Sequence, residues 1–321
     1  MKAICYHKYG SPEVLGIEEI DKPVIDADGV LVRVVAAAVN PLDWHFMRGK
    51  PYLMRLMFGL RKPKSGRPGV DVAGRVEAVG ANVTAFRAGD EVFGGRNGAL
   101  AEYVTGGEKD FVTKPAALTF EQAAAIPIAG CTALQALRDH GRLEAGQKVL
   151  INGAAGGVGT FAVQIARALG AEVTGVCSTA NVDMVRSLGA QHVVDYTAED
   201  FTRAGLRYDL IVDNVGSRSL RDLRRAMAPH ATLLLLGGGG NRLLGPIGQL
   251  LRARVLSRFV GQRMLSFLAT INKADLLALN DLVEAGKIVP VVDRTFPLSQ
   301  AAAAIGYLET GHAHGKVVVN A

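Results

Sequence analysis

The run Lys148-Val149-Leu150-Ile151-Asn152-Gly153-Ala154-Ala155-Gly156-Gly157-Val158-Gly159 has the residue types and spacing of a phosphate-binding turn. An apolar strand-like run, Val149 to Ile151, leads into glycines. Val158, Phe161, Ala162, Ile165, Ala166 and Leu169 then recur at helical spacing. The first amides of a helix have no internal partner and carry partial positive charge, and missing β-carbons let a pyrophosphate come close. Gly156 and Gly159 supply the second and third glycines of a dinucleotide fingerprint, with Ala154 in the first place. Glycine-rich turns also occur without a ligand, but the flanking strand and amphipathic helix favour a bound phosphate here.

The next strand, Glu172 to Val176, ends where NAD-specific folds place an acid about 20 residues beyond the first glycine. No acid stands there. Cys177, Ser178, Thr179, Ala180 and Asn181 follow, with Arg186 within helical reach, and such groups can bond a 2′-phosphate that a carboxylate would repel. The spacing favours NADP(H) over NAD(H). Helix capping explains Ser178 and Asn181 equally well, and the two roles are compatible.

These groups need a scaffold, and the chain is long enough for two domains at 321 residues. Hydrophobic residues make up 49% and charged residues 21%, the balance of a folded globular protein rather than a disordered one. No apolar run reaches the ~20 residues of a membrane span. Met1 to Tyr6 enters a strand-like pattern with no signal-peptide core, so the expected location is cytoplasmic. Cys5, Cys131 and Cys177 are too few for a disulfide framework and too scattered for a metal cluster. The net charge of +6 is uneven: Trp44 to Val70 holds seven Arg or Lys and no acid, and Leu223 to Ala274 again has no acid. Such stretches could attract nucleic acid, a membrane surface or phosphate-bearing ligands. A solvated basic surface is the favoured reading, ahead of a nucleic-acid or membrane partner.

The first third reads as β-rich: Lys2 to Tyr6, Gly29 to Val39, Val70 to Val79 and Glu91 to Phe93. Thr119 and Gln122 form a capping pair for a helix. Strand and helix then alternate through Thr232 to Leu236, which implies a parallel sheet covered on both faces. A helix at Lys273 to Ala285, a helix at Gln300 to Glu309 capped by Ser299, and a final strand at Lys316 to Val319 close the chain. This places a β-rich domain at 1–119, a dinucleotide-binding domain at 120–265 and a return to the first domain at 266–321.

The order of motifs resembles the medium-chain dehydrogenase/reductase superfamily, in its zinc-free quinone oxidoreductase-like branch. The residues carrying the resemblance are Val39-Asn40-Pro41-Leu42-Asp43, Pro68 to Val76, Gly89 to Val92, Ala129 to Ala133, Gly153 to Gly159, and His312 to Val317. The resemblance implies an α/β fold in which a Rossmann doubly wound parallel sheet is inserted in a GroES-like domain, with NADP(H) and substrate in the cleft between them. Zinc-dependent members carry a Cys within the stretch matching Asn40 to Asp43, and Gly-His-Glu where Gly69-Val70-Asp71 stands, so the metal ligands are missing. Oxidising an alcohol needs an alkoxide that zinc normally stabilises as a Lewis acid. A quinone or α,β-unsaturated carbonyl delocalises the charge arriving with hydride, so positioning, which alone can supply about 7 to 11 kcal/mol, suffices with a few donors.

The roles implied by resemblance follow residue by residue. Asn40 and Pro41 lie beside the nicotinamide and its ribose, and Thr132 near that ribose and phosphate. Gly156, Gly157 and Val158 hold the pyrophosphate, Ser178, Asn181 and Tyr196 face the 2′-phosphate, and Asn214, Val215 and Gly237 line the nicotinamide side. Lys316 approaches the phosphates. For proton delivery the candidates are Tyr52, displaced one position from the tyrosine of related enoyl reductases, and a water, while Asp43 either takes part or anchors its loop. Purely structural alternatives stand beside these: Asn40-Pro41 as a turn, Asn214 as a cap, Tyr196 as packing. The segment Met47 to Lys64 reads as an apolar lid with basic edges or as a simple surface helix. The expected activity is zinc-independent, NADPH-dependent reduction of a small hydrophobic electrophile by a homodimer. The alternatives are an enoyl-thioester reductase and a non-enzymatic nucleotide-bound scaffold or RNA-binding protein.

Overall fold

Valine-rich runs bounded by glycine and proline become strands because branched side chains fit a pleated, half-buried surface. The computed structural model describes residues 1–237, 253, 257 and 260–321. In chain order the first elements are strands β1 (Lys2–Cys5), β2 (Gly16–Glu19) and β3 (Gly29–Val39), helices α1 (Pro41–Arg48) and α2 (Arg55–Phe58), and strands β4 (Asp71–Val79), β5 (Glu91–Gly95), β6 (Tyr103–Gly107) and β7 (Phe111–Thr113). Helices α3 (Phe120–Ala124) and α4 (Pro127–Leu134) follow.

Then come β8 (Lys148–Asn152), α5 (Gly157–Ala168), β9 (Glu172–Cys177), α6 (Val182–Ser187), β10 (His192–Asp195), β11 (Tyr208–Asp213), α7 (Leu220–Arg225), β12 (Met227–Leu235) and β13 (Arg263–Leu265). The chain closes with α8 (Lys273–Glu284), β14 (Val292–Pro297), α9 (Ala301–Glu309) and β15 (Lys316–Asn320).

The described residues divide into two units, Met1–Cys131 with Thr270–Ala321, and Thr132–Ala269. In the first unit the main sheet runs β14-β15-β3-β4-β5-β7, with β6 also paired to β3. The pairing of Val317 through Asn320 with Val39 through Ala36 joins the chain's last strand to its third, so both ends build one sheet. Val30, Val32, Val72, Val76, Val92, Phe111, Ile305 and Val317 form its buried core, each such side chain contributing about 1.5–3 kcal/mol.

The division falls after Cys131 rather than after residue 119, because α3 packs on β3, β4 and β5 and the Ile128 amide donates to Asp71 Oδ1 at 2.9 Å. At the return, a β-carbon on Gly95 would lie 2.4 Å from Ile271 Cδ1, so Thr270 onward already belongs to the first unit's packing.

In the second unit the sheet order is β10-β9-β8-β11-β12-β13, and every pairing among the described residues is parallel. The order reverses between β8 and β11, which opens a crevice at their carboxyl ends, the place where open parallel sheets bind ligands.

Thr119 caps α3 as expected, its hydroxyl accepting from Gln122 N at 3.2 Å while Gln122 Oε1 accepts from Thr119 N at 3.0 Å. Ser299 does not cap α9: it lies in a 3₁₀ turn, Leu298–Gln300, that runs into the helix. Among the described residues no helix is long and apolar enough to cross a membrane. Part of the second acid-free stretch, Leu223 to Ala274, lies outside the described residues.

Candidate functional site

The glycine turn joins β8 to α5. Gly153 has φ +78°, a left-handed conformation natural to glycine, and its amide and that of Ala154 donate to Val176 O at 3.1 and 2.9 Å. Alanine fits the first fingerprint place because the neighbouring strand leaves room there: a β-carbon on Gly175 would lie 3.1 Å from the Ala154 β-carbon.

Gly159 is required by packing, since its β-carbon would lie 2.0 Å from Gly153 O. Gly156 differs. Its β-carbon would meet only Gly153 O, at 3.5 Å, so the space in front of the helix is open. Gly156 caps α5, and helix geometry leaves the amides of Gly157, Val158 and Gly159 without intrahelical partners. An open cradle, a helix start and donor amides suit a pyrophosphate.

At the end of β9, Asn181 Nδ2 donates to Ser178 Oγ at 3.0 Å and the Tyr196 amide donates to Cys177 O at 3.0 Å. Ser178, Asn181 and Tyr196 are thereby drawn to one strand end, Tyr196 exposed and Asn181 buried. Burial and the Asp195 charge push the Cys177 thiol up to about 11, with the Arg186 guanidinium opposing them, which puts a cation at this end of the sheet. Sequence reading missed a counter-charge. Asp195 pairs in register with Cys177, and hydroxyl bonds from Thr179, at 2.5 Å, and Thr197 hold its carboxyl below the usual range.

At the crevice, Asn152 Nδ2 donates to Asp213 Oδ1 at 2.8 Å, and that oxygen also accepts from the amides of Val215 and Gly216. Asn214 Nδ2 donates to Asn152 O at 3.0 Å. Asp213 Oδ2 and Asn214 Oδ1 are buried without a hydrogen-bond partner, two acceptors suited to a ligand N–H donor such as a carboxamide. Asp213 and Asn152 were not singled out from sequence, although their places at the ends of parallel strands were a usable signal. Val215 is exposed beside them. Gly237 has a packing reason to be glycine, its β-carbon falling 1.8 Å from Asn214 O. Thr132 lies in α4, half-buried.

In the first unit, α1 starts with Asn40 as cap and Pro41, exposed, in its first turn. Asp43 Oδ2 accepts from Asn40 N at 2.7 Å and its Oδ1 from Gly69 N at 2.8 Å. This carboxylate ties the helix start to the Pro68-Gly69 turn, the anchoring role. Asn40 Nδ2 donates to Asp71 Oδ2 at 2.9 Å and, more weakly, to Ala38 O at 3.4 Å. Lys316 Nζ donates to Val39 O, Asn40 Oδ1 and Asp71 Oδ2.

An ammonium has three N–H groups, so the expectation that Lys316 approaches the phosphates gives way to a buried ion pair with Asp71. Both N–H groups of the Asn40 amide are likewise occupied, so its part is to hold this network rather than to donate to a substrate. Tyr52 is different: it is 40% exposed, in a 3₁₀ turn, with Arg55 over its ring and no hydrogen bond from its hydroxyl to a described residue.

Burial pushes the Asp43 carboxyl up to about 6, against the opposing bonds from the Asn40 and Gly69 amides. Its folded value lies above its unfolded one, so the folded chain holds the proton more tightly and stability falls as pH rises from about 4 through about 6. The expected slope is at most about 1.4 kcal/mol per pH unit. Thermal melts across that range check it, with Asp43→Asn expected to remove this part of the slope.

Known proteins agree with this architecture. The alcohol dehydrogenase GroES-like domain family matches residues 26–134 and the zinc-binding dehydrogenase family residues 188–319. The 2-methylene-furan-3-one reductase of Solanum lycopersicum is 35% identical over 100% of this chain and 79% of its own length. The NADPH-dependent alkenal/one oxidoreductase of Arabidopsis thaliana is 36% identical over 99% of this chain and 79% of its own. The quinone oxidoreductase structure from Coxiella burnetii superposes with a TM-score of 0.87 at 31% identity, covering 100% of this chain and 99% of that one. The Escherichia coli quinone oxidoreductase complexed with NADPH has a TM-score of 0.82 at 25% identity, with both chains fully covered.

The chain belongs to the medium-chain dehydrogenase/reductase superfamily, in its quinone oxidoreductase-like branch. The network of Asn40, Asp43 and Asp71 encloses the Lys316 ammonium, which donates to Asn40 Oδ1 and Asp71 Oδ2. Among the described residues, no three His, Cys, Asp or Glu side chains come together in a group able to hold a metal ion.

Proposed function

We propose that this chain is an NADPH-dependent, zinc-independent reductase of quinones and α,β-unsaturated carbonyls. The observation that carries the reading is the open, amide-lined cradle at Gly156 in a chain whose relatives are named as enone and quinone reductases. The reduced nicotinamide supplies hydride from its C4.

The amides of Gly157 and Val158 bind the pyrophosphate, for which Gly156 leaves room while its own amide donates to Gly153 O at 3.1 Å, and Ser178, Asn181, Tyr196 and Arg186 receive the 2′-phosphate. Thr132, Asn214, Val215 and Gly237 line the nicotinamide side, with the free oxygen of Asn214 as acceptor for the carboxamide. Asn40, Pro41, Asp43, Asp71 and Lys316 keep the α1 loop in shape. The Tyr52 hydroxyl, which has no described hydrogen-bond partner, donates the proton that completes reduction.

Zinc independence is supported by the donor set: a resident ammonium repels a divalent cation, and a conjugated acceptor needs no Lewis acid. The three buried free cysteines suit the reducing cytoplasm, and a homodimer is the expected assembly, checked by sedimentation.

The test is loss of NADPH absorbance with a panel of quinones and enones. Turnover is expected with conjugated acceptors, unchanged by a chelator. Tyr52→Phe is expected to lower kcat about 100-fold with little change in KM. No turnover of any conjugated acceptor, despite NADPH binding, would overturn the reading.

A further inference from the structure

The loop after α1 presents large apolar side chains to solvent from a rigid base. Arg55 donates to Gly49 O at 3.0 Å and Arg48 O at 3.2 Å, and its guanidinium lies over the Tyr9 ring, 4.4 Å from the centroid. The Tyr9 hydroxyl donates to Gly59 O at 2.6 Å, Lys64 N donates to Phe58 O at 2.7 Å, and Phe58 packs on Phe46 with centroids 4.6 Å apart. From this base Leu53, Leu56, Phe58 and Leu60 stand 42, 66, 40 and 65% exposed.

Isolated apolar residues on a surface are ordinary, but four large ones in one anchored loop are not. The charge around them has one sign. Trp44 to Val70 contains seven Arg or Lys and no acid, and of these Arg61, Lys62 and Lys64 are exposed at the loop's edge.

We propose that this loop docks the protein onto an anionic phospholipid surface, with Leu53, Leu56, Phe58 and Leu60 entering the interface and Arg61, Lys62 and Lys64 among the headgroups. The combination selects this occupant. A nucleic acid would match the cations and could stack a base on Phe58, but it offers nothing to Leu53, Leu56 and Leu60. A second copy in a symmetric contact would bring the same positive charge against itself. A bilayer of anionic lipid satisfies both, since apolar insertion and headgroup attraction act together, each cation being worth about fivefold in binding. The solvated-surface reading of the basic stretch accounts for the charge and not for the exposed leucines.

The test is co-sedimentation of the full-length protein with phosphatidylcholine vesicles, with and without phosphatidylglycerol. Binding is expected on the anionic vesicles, at least ~10-fold weaker on neutral ones, and reversed by salt. Arg61→Glu/Lys62→Glu/Lys64→Glu is expected to lose about 100-fold, and Leu53→Ser/Leu56→Ser/Leu60→Ser at least ~10-fold. Since all six side chains are exposed, both variants should melt with the parent protein, which separates lost docking from lost folding. The proposal is overturned if the parent protein fails to pellet, if either variant pellets as it does, or if the leucine variant changes only the oligomeric state. The readout needs neither cofactor nor substrate, so it stands apart from the reductase reading.

Discussion

Gly156→Val is expected to weaken NADPH binding about 100-fold while the protein stays folded. Gly156 has an extended backbone, φ −81° and ψ 177°, which valine adopts without strain, and its β-carbon would meet no protein atom closer than 3.5 Å. Its branched side chain would instead occupy the open space before the helix and keep the pyrophosphate from the amides of Gly157 and Val158. Losing one or two hydrogen bonds to a charged group, at about 1.5–3 kcal/mol each, gives the stated factor.

The neighbouring substitution Gly159→Ala gives the opposite pattern. Its β-carbon would lie 2.0 Å from Gly153 O and 2.8 Å from Ala154, so the turn itself must move. Its cost falls on folding, about 1–3 kcal/mol. Fluorescence titration with NADPH beside a thermal melt separates the two, and a Gly156→Val protein that binds NADPH as the parent does would remove the pyrophosphate from this turn.

Lys316→Met is expected to destabilise the fold by about 3–5 kcal/mol, because it leaves the Asp71 carboxylate buried and uncompensated. Asp71 is fully buried and Lys316 nearly so, their charged atoms 3.0 Å apart. Adding Asp71→Asn removes the stranded charge. The double variant Lys316→Met/Asp71→Asn is therefore expected to recover more than half of the loss, since the cost lies in the lone charge and not in the absence of the pair. Denaturation midpoints for the two single variants and the double variant measure this coupling. A single variant as stable as the parent would mean that the ammonium contributes nothing to the α1 loop.

Much of the second unit was legible in the sequence because its signals are local. Val149 to Gly159 states strand, turn and helix within a dozen residues, and the missing acid after Val176 can be seen by counting. Even the inserted arrangement could be read, since the last strand has the same valine-rich pattern as the first third. The boundary residues were less legible. Whether α3 packs on the sheet of β3 and β4 depends on contacts with residues far away in the chain.

By itself the sequence determined the family, the order of elements and the glycine turn between strand and helix, because strand and helix periodicity and a glycine's freedom act over a few neighbouring residues. Only the tertiary structure decided what the buried polar side chains do. Lys316 reaches Asn40 across 276 residues and Asp71 across 245, and a side chain with all its hydrogens bonded inside the core is no longer free for a ligand. Tertiary packing likewise gave Asp43 its anchoring bonds and left Leu53, Leu56 and Leu60 facing water, a distinction of burial that residue type alone does not carry.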